Sequence, residues 1–214
     1  MIKMDVYKKL EELKIVPVAV IDDVENAIPL GKTLEEAGLP IVEITFRTEA
    51  AAKSISRLRE NFSELLVGAG TVLSIEHVND AVDAGVEFIV TPGFNPTVVD
   101  YCVENDIDIC PGLNAPSFIE WGLERGLNHF KFYPADLSGG PKMLKTLSGP
   151  YPSVKFMPTG GIGNETLIEY LKLDNVFACG GSWLVKKDLI SSKNFEEIKR
   201  RVESAVSLVK SEIE

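Results

Sequence analysis

The sequence predicts an α/β fold, a (β/α)8 TIM barrel, and three observations predict it. A short apolar, β-rich run, a Gly, Pro or polar junction and an amphipathic stretch recur along the 214 residues, with run starts 20 to 26 residues apart. Strand–helix alternation of this kind implies a parallel sheet with right-handed crossovers. The first run is followed by Ile21-Asp22-Asp23-Val24, without the glycine-rich turn that an open doubly wound sheet usually carries there. The length is near the short end of the range for such barrels, and no linker or low-complexity segment interrupts the repeats, so residues 1–214 read as one barrel domain.

Each element has a local reason. Strands are expected to begin near Ile15, Ile41, Leu65, Phe88, Asp108, His129, Lys155 and Val176, where apolar and β-branched residues cluster. Helices are expected over 24–37, 48–61, 75–84, 96–104, 116–125, 141–147 and 165–172. Ser74, Asn95 and Asn164 read as N-caps, and Gly38, Gly85 and Gly126 as left-handed C-terminal stops. Pro29 falls inside the first of these helices and is expected to kink it. Met1-Ile-Lys-Met-Asp leads straight into an amphipathic N-terminal helix through Val6, Leu10 and Leu13. A C-terminal helix over 195–213 presents Ile198, Val202, Ala205, Val206 and Val209 on one face.

Composition narrows the function classes. Hydrophobic residues make up 45% and charged residues 25%, as in ordinary globular proteins. With 22 basic against 32 acidic residues the net charge is -10, which argues against nucleic acid or an anionic membrane as a partner and leaves room for a local basic pocket. Cys102, Cys110 and Cys179 cannot all pair and show no CxxC spacing, so a reducing, cytoplasmic setting is expected. The N-terminus has no apolar signal core, and no run approaches membrane length. His77 and His129 stand alone in sequence, which gives no basis for a metal site.

The central stretch is His129-Phe130-Lys131-Phe132-Tyr133-Pro134, a strand with an amine in its middle. Alternation turns Lys131 away from Phe130 and Phe132. In strand two, Val42, Ile44 and Phe46 are expected to face the helices while Ile41, Glu43 and Thr45 face the interior. A carboxylate and an amine then point into one barrel. The bland reading is a buried ion pair holding the barrel in register. Such pairs stabilise poorly once desolvation is counted, and both residues fall where barrels keep their active sites. A lysine amine there can attack a carbonyl to form a Schiff base, with the carboxylate moving the protons.

The surrounding motifs supply a second theme. Pro158-Thr159-Gly160-Gly161-Ile162 and Cys179-Gly180-Gly181-Ser182 place paired glycines after strands seven and eight, where barrels of this type bind phosphate. A single Gly-Gly would be turn punctuation; two at these strand ends indicate an anionic substrate. Gly68-Ala69-Gly70-Thr71 reads as a close-approach turn bringing a hydroxyl to the mouth. Arg47 offers a planar fork for a carboxylate, its plain alternative being a rim salt bridge with Glu49. Thr91-Pro92-Gly93 and Cys110-Pro111-Gly112 shape the mouth. Cys110 has no histidine to activate it and reads as a structural thiol, and Trp121 and Trp183 as packing residues.

Taken in order, Glu43-Ile-Thr-Phe-Arg47-Thr, Val67-Gly-Ala-Gly-Thr71-Val, Thr91-Pro92-Gly93, Phe130-Lys131-Phe132-Tyr133-Pro134-Ala135, Pro158-Thr159-Gly160-Gly161 and Gly180-Gly181-Ser182-Trp183 resemble the motifs of the bacterial 2-keto-3-deoxy-6-phosphogluconate aldolases, a family that includes 4-hydroxy-2-oxoglutarate aldolase activity. The resemblance implies that Lys131 is the Schiff-base lysine and Glu43 the proton-transfer residue. It implies that Arg47 and Thr71 hold the carboxylate of the pyruvate half, and that Gly160, Gly161, Gly181 and Ser182 line the phosphate end. Pro92 and Thr159 complete the substrate-binding set. It further implies a homotrimer, a phosphorylated keto-acid of the Entner-Doudoroff pathway as substrate, and no metal or organic cofactor. Two departures stand out. Tyr133 replaces the phenylalanine common in relatives, and Val20-Ile21-Asp22-Asp23 lacks the arginine that some relatives carry late in strand one.

The reading is therefore a Schiff-base aldolase that releases pyruvate and an aldehyde, glyceraldehyde 3-phosphate or glyoxylate. Two alternatives remain open at this point: a phosphosugar isomerase or epimerase on the same barrel, and a non-catalytic barrel that binds a phosphorylated metabolite.

Overall fold

The computed structural model describes residues 5–213. Met1 to Met4, the start of the expected lead-in, lie outside them. Asp5 caps helix α1 (Val6–Leu13) by accepting from the Lys8 amide at 3.1 Å, and Val6 and Leu10 are buried. The strands follow as β1 (Ile15–Ala19), β2 (Ile41–Thr45), β3 (Leu66–Gly70), β4 (Phe88–Val90), β5 (Ile109–Cys110), β6 (Gly112–Leu113), β7 (His129–Phe132), β8 (Lys155–Pro158) and β9 (Cys179–Gly181). Between and after them run α2 (Ala27–Glu36), α3 (Ala51–Asn61), α4 (Ile75–Asp83), α5 (Pro96–Glu104), α6 (Pro116–Glu124), α7 (Gly140–Leu147), α8 (Asn164–Leu171), α9 (Lys187–Ser191) and α10 (Phe195–Glu212).

The strands pair in parallel. Six form one half-barrel sheet in the order β5-β4-β3-β2-β1-β9, and β6-β7-β8 form a second sheet. Two isolated bridges, Phe156 to Val176 and Thr159 to Gly180, join β8 to the chain around β9, and only Pro111 separates β5 from β6. The expected fifth strand is thus two short pieces, because proline supplies no N–H for a continuous ladder. Thr91 repairs the break. Its hydroxyl accepts from the Gly112 amide at 3.1 Å and donates to the Gly93 carbonyl at 2.7 Å.

Several expectations shift. Pro29 lies in the first turn of α2, after a 3-10 turn at Val24–Asn26, where its missing N–H removes no helical bond. Gly163 rather than Asn164 is the N-cap residue of α8, with its amide donating to Thr166 Oγ1 at 3.2 Å. The last strand starts at Cys179, not Val176, since its register is set by β1: Ile15 faces Cys179 and Pro17 faces Gly181. Helix α9 was not anticipated. Ser74 and Asn95 do cap α4 and α5, and Gly38, Gly85 and Gly126 have φ of 76°, 92° and 76°. On α10, Ile198, Val202, Ala205 and Val209 are buried and Val206 is half-buried.

Candidate active site

Register brings the two central charges together. Glu43 sits in β2 opposite Val18 and Gly68; Lys131 sits in β7 opposite Gly112 and Met157. Both side chains point to the interior, where Lys131 Nζ lies 3.4 Å from Glu43 Oε1. Glu43 is fully buried, and only 6% of the Lys131 side chain is exposed. Glu43 Oε2 is buried and has no hydrogen-bond partner among the described residues. A pair built for stability would have satisfied that oxygen, because an unpaired buried acceptor costs about 1–3 kcal/mol.

The glycines of Gly68-Ala69-Gly70 explain how the carboxylate fits. They belong to strand β3 and not, as expected, to a turn. A Cβ on Gly70 would overlap the Glu43 carboxylate, and one on Gly68 would overlap the Phe88 ring. The strand is stripped of side chains so that its neighbours can lie across it. Cys110 lies close enough to feel both charges, yet burial pushes its thiol far up, more than the Lys131 amine pulls it down. It stays a neutral thiol, in agreement with a structural role.

Above the pair opens a cavity of about 480 Å³ with Lys131 at its base. Arg47, Thr71 and Pro92 line one part of it. Arg47 Nε donates to Thr71 Oγ1 at 3.1 Å rather than reaching for Glu49. Thr71 holds φ at 56°, a left-handed conformation that a β-branched residue adopts only at a cost, and such strain gathers at functional sites. Thr45, also a candidate from its place in strand two, is spent inside the fold: its hydroxyl donates to the Ala19 carbonyl at 3.1 Å.

Thr159, Gly160, Gly161, Gly181 and Ser182 line the other part. Gly160 and Gly161 have φ of 97° and 81°, and a side chain on Gly161 would strike Asp136. The turn they form leads through Gly163 into the N-terminus of α8, the kind of helix end that favours anions. Trp183 braces the site from outside: its ring lies where a Cβ of Gly181 would be, and its Nε1–H donates to Asn164 Oδ1 at 2.9 Å. Asn164 therefore has a different task from the capping expected of it.

Apart from Thr45, the sequence-derived site residues surround one cavity, with Glu43 reaching it through its contact with Lys131. Sequence reasoning missed Lys186 and Lys187, which line the outer part. The signal was present as a basic pair shortly after Ser182. Tyr133, flagged as a departure, also lines the cavity, with Lys131 Nζ 5.6 Å from its ring centre and Gly160 against its edge. Among the described residues no group of three potential ligands could hold a metal ion, and no helix is long and apolar enough to cross a membrane.

Comparison with known proteins agrees with this geometry. The model of the KDPG and KHG aldolase family matches residues 6–201. A 2-dehydro-3-deoxy-phosphogluconate aldolase of Haemophilus influenzae is 48% identical over 96% of this chain and 97% of its own. The KHG/KDPG aldolase of Escherichia coli K12 is 36% identical over 90% of each. Among solved structures, a KDPG aldolase of Legionella pneumophila, with pyruvate captured at low pH as a covalent carbinolamine intermediate, superposes with a TM-score of 0.91 at 37% identity, covering 95% of this chain and 98% of that one.

Proposed function

The chain belongs to the KDPG and KHG aldolase family and is a Schiff-base aldolase, and from that premise we propose which of its residues perform the reaction. Lys131 Nζ attacks the C2 carbonyl of a 2-keto-4-hydroxy acid. Loss of water from the carbinolamine gives an iminium that acts as an electron sink. Glu43, through a water, takes the C4 hydroxyl proton, and the C3–C4 electron pair moves into the iminium. An aldehyde leaves. The enamine is protonated at C3 and hydrolysed to pyruvate, which restores the free amine.

The observation that carries this reading is the buried Lys131–Glu43 pair, 3.4 Å apart at the base of the cavity, with one carboxylate oxygen left unpartnered. Arg47 and Thr71 hold the pyruvate carboxylate. Gly160, Gly161, Gly181 and Ser182 receive the phosphate of 2-keto-3-deoxy-6-phosphogluconate, while Pro92 and Thr159 shape the wall. No metal or organic cofactor takes part. The eight strand–helix units act as one closed (β/α)8 domain; the bridges from β8 to β9 and the splice at Pro111 support closure. The chain works in the cytoplasm as a homotrimer. Support for a covered face comes from the aromatic cluster of Phe94, Phe118 and Trp121, with Trp121 42% exposed.

Borohydride added with pyruvate should fix the substrate to Lys131 irreversibly, as read by mass spectrometry of the labelled peptide. Equal labelling of Lys131→Ala would overturn the assignment.

A further inference from the structure

Where β1 and β9 pair, their two following loops meet above the cavity. Asp22 comes from the loop after β1 and Lys187 from the start of α9, and Lys187 Nζ lies 3.0 Å from Asp22 Oδ2. Both side chains are about half exposed, at 55% and 47%. Lys187 also lines the cavity, as do Gly181 and Ser182 of the glycine segment at the end of β9. One ammonium thus faces two claimants: a fixed carboxylate outside the cavity and whatever anion enters it.

Charge decides between them. A half-exposed ion pair is held by little free energy, so Asp22 is easily exchanged. A phosphate monoester carries about -1.5 to -2 charge at neutral pH, with three strong acceptor oxygens. A carboxylate tail carries one charge, no more than Asp22 itself. We propose that Asp22 and Lys187 form an exchangeable gate for the substrate tail, in which Lys187 leaves Asp22 for a phosphate dianion but not for a lone carboxylate. Asp22 then acts as a competitor for the Lys187 ammonium that sharpens selection, at some loss of affinity for every anion. This rests on the reading of the glycine turns as the phosphate end. It also gives the acidic Asp22, out of place beside an anion site, a purpose there.

The test compares kcat/KM for 2-keto-3-deoxy-6-phosphogluconate and for 4-hydroxy-2-oxoglutarate, whose tail is a carboxylate, in the full chain. Asp22→Asn should reduce the preference for the phosphorylated substrate about threefold, by improving the carboxylate one, and Lys187→Met should weaken the phosphorylated one about three- to fivefold. Adding Asp22→Asn to Lys187→Met should change nothing more, and Lys172→Met, a distant exposed lysine, serves as the charge control. Independent effects of Asp22→Asn and Lys187→Met, or a preference that moves no further than in Lys172→Met, would overturn the gate. Inorganic phosphate binding, measured by calorimetry, separates this idea from the aldolase residue assignments. It should tighten in Asp22→Asn and weaken in Lys187→Met even if Lys131 carries no adduct. Normal turnover and labelling with unchanged phosphate binding in both variants would sink the gate alone.

Discussion

Strand β7 has two ends, and they are built on opposite terms. At its start the His129 ring stacks on Tyr7 of α1 at 4.2 Å, with Phe177 edge-on at 5.1 Å. The Tyr7 hydroxyl donates to the Ile109 carbonyl at 2.6 Å, and His129 Nδ1 lies 2.7 Å from Asn128 Oδ1. Aromatic area is covered and polar atoms have partners. Two residues later Lys131 lies 3.4 Å from a carboxylate whose other oxygen has no hydrogen-bond partner among the described residues, in a cavity also lined by a threonine in a left-handed conformation. The start of the strand is assembled for stability, and its far end, at the cavity, gives stability up.

The sharpest way to break this contrast is to remove the pair at the cavity. Lys131→Met should lower cleavage by about 10⁴-fold or more, as loss of a covalent nucleophile does. The double variant Lys131→Met/Glu43→Leu should melt at or above the parent temperature, since isosteric apolar replacement of a buried ion pair is often neutral or stabilising. A melting point several degrees lower would mean that the pair holds the fold together after all.

The two glycines of β3 give a finer test on one strand. Gly70→Ala pushes into the Glu43 carboxylate and should cost roughly 10²-fold in kcat, the usual penalty for displacing a reacting group by about 1 Å. Gly68→Ala pushes instead into Phe88 and should cost about 1–3 kcal/mol of stability in denaturant titration while turnover per folded molecule persists. If the two variants behave alike, the division between catalytic and packing space is wrong.

At the start of the strand, Tyr7→Phe should keep the stack on His129 and orphan the Ile109 carbonyl, for a loss of about 1 kcal/mol without change in kcat. The smallest effect concerns acid. Burial holds the His129 imidazole below its ordinary 6.5, so the folded chain takes up that proton less readily than the unfolded one. Its contribution is complete above about pH 6.5 and is lost as pH falls from there toward the lower folded pKa. His129→Phe should flatten that part of the melting-temperature profile, and an unchanged slope would remove His129 from the account.

Much of this was legible in sequence because the strand–helix unit repeats itself. Apolar runs at a steady interval located most strands within a residue or two, and alternation alone put Glu43 and Lys131 on the inner face. The misreadings share a cause, in that local signals were overruled by tertiary partners. Glycines at 68 and 70 look like a turn, but they are strand residues thinned for Phe88 and Glu43. Val176 begins an apolar run, yet the register of β1 selects Cys179 to Gly181 as the strand. Asn164 has the chemistry of a cap and is claimed by Trp183. Lys186 and Lys187 belong to no motif in the sequence, and only the meeting of the loops after β1 and β9 brings them to the cavity.

The Trp183–Asn164 hydrogen bond has a thermodynamic meaning of its own. It ties the loop after β9 to the first residue of α8, so the two segments that would receive the phosphate are fixed to one another by an indole on their outer side. Rigid aromatic bracing of this sort means that the entropy of arranging the anion pocket is lost when the chain folds. A substrate arriving at such a pocket keeps more of its contact energy as affinity, because it has fewer loops to bring to order.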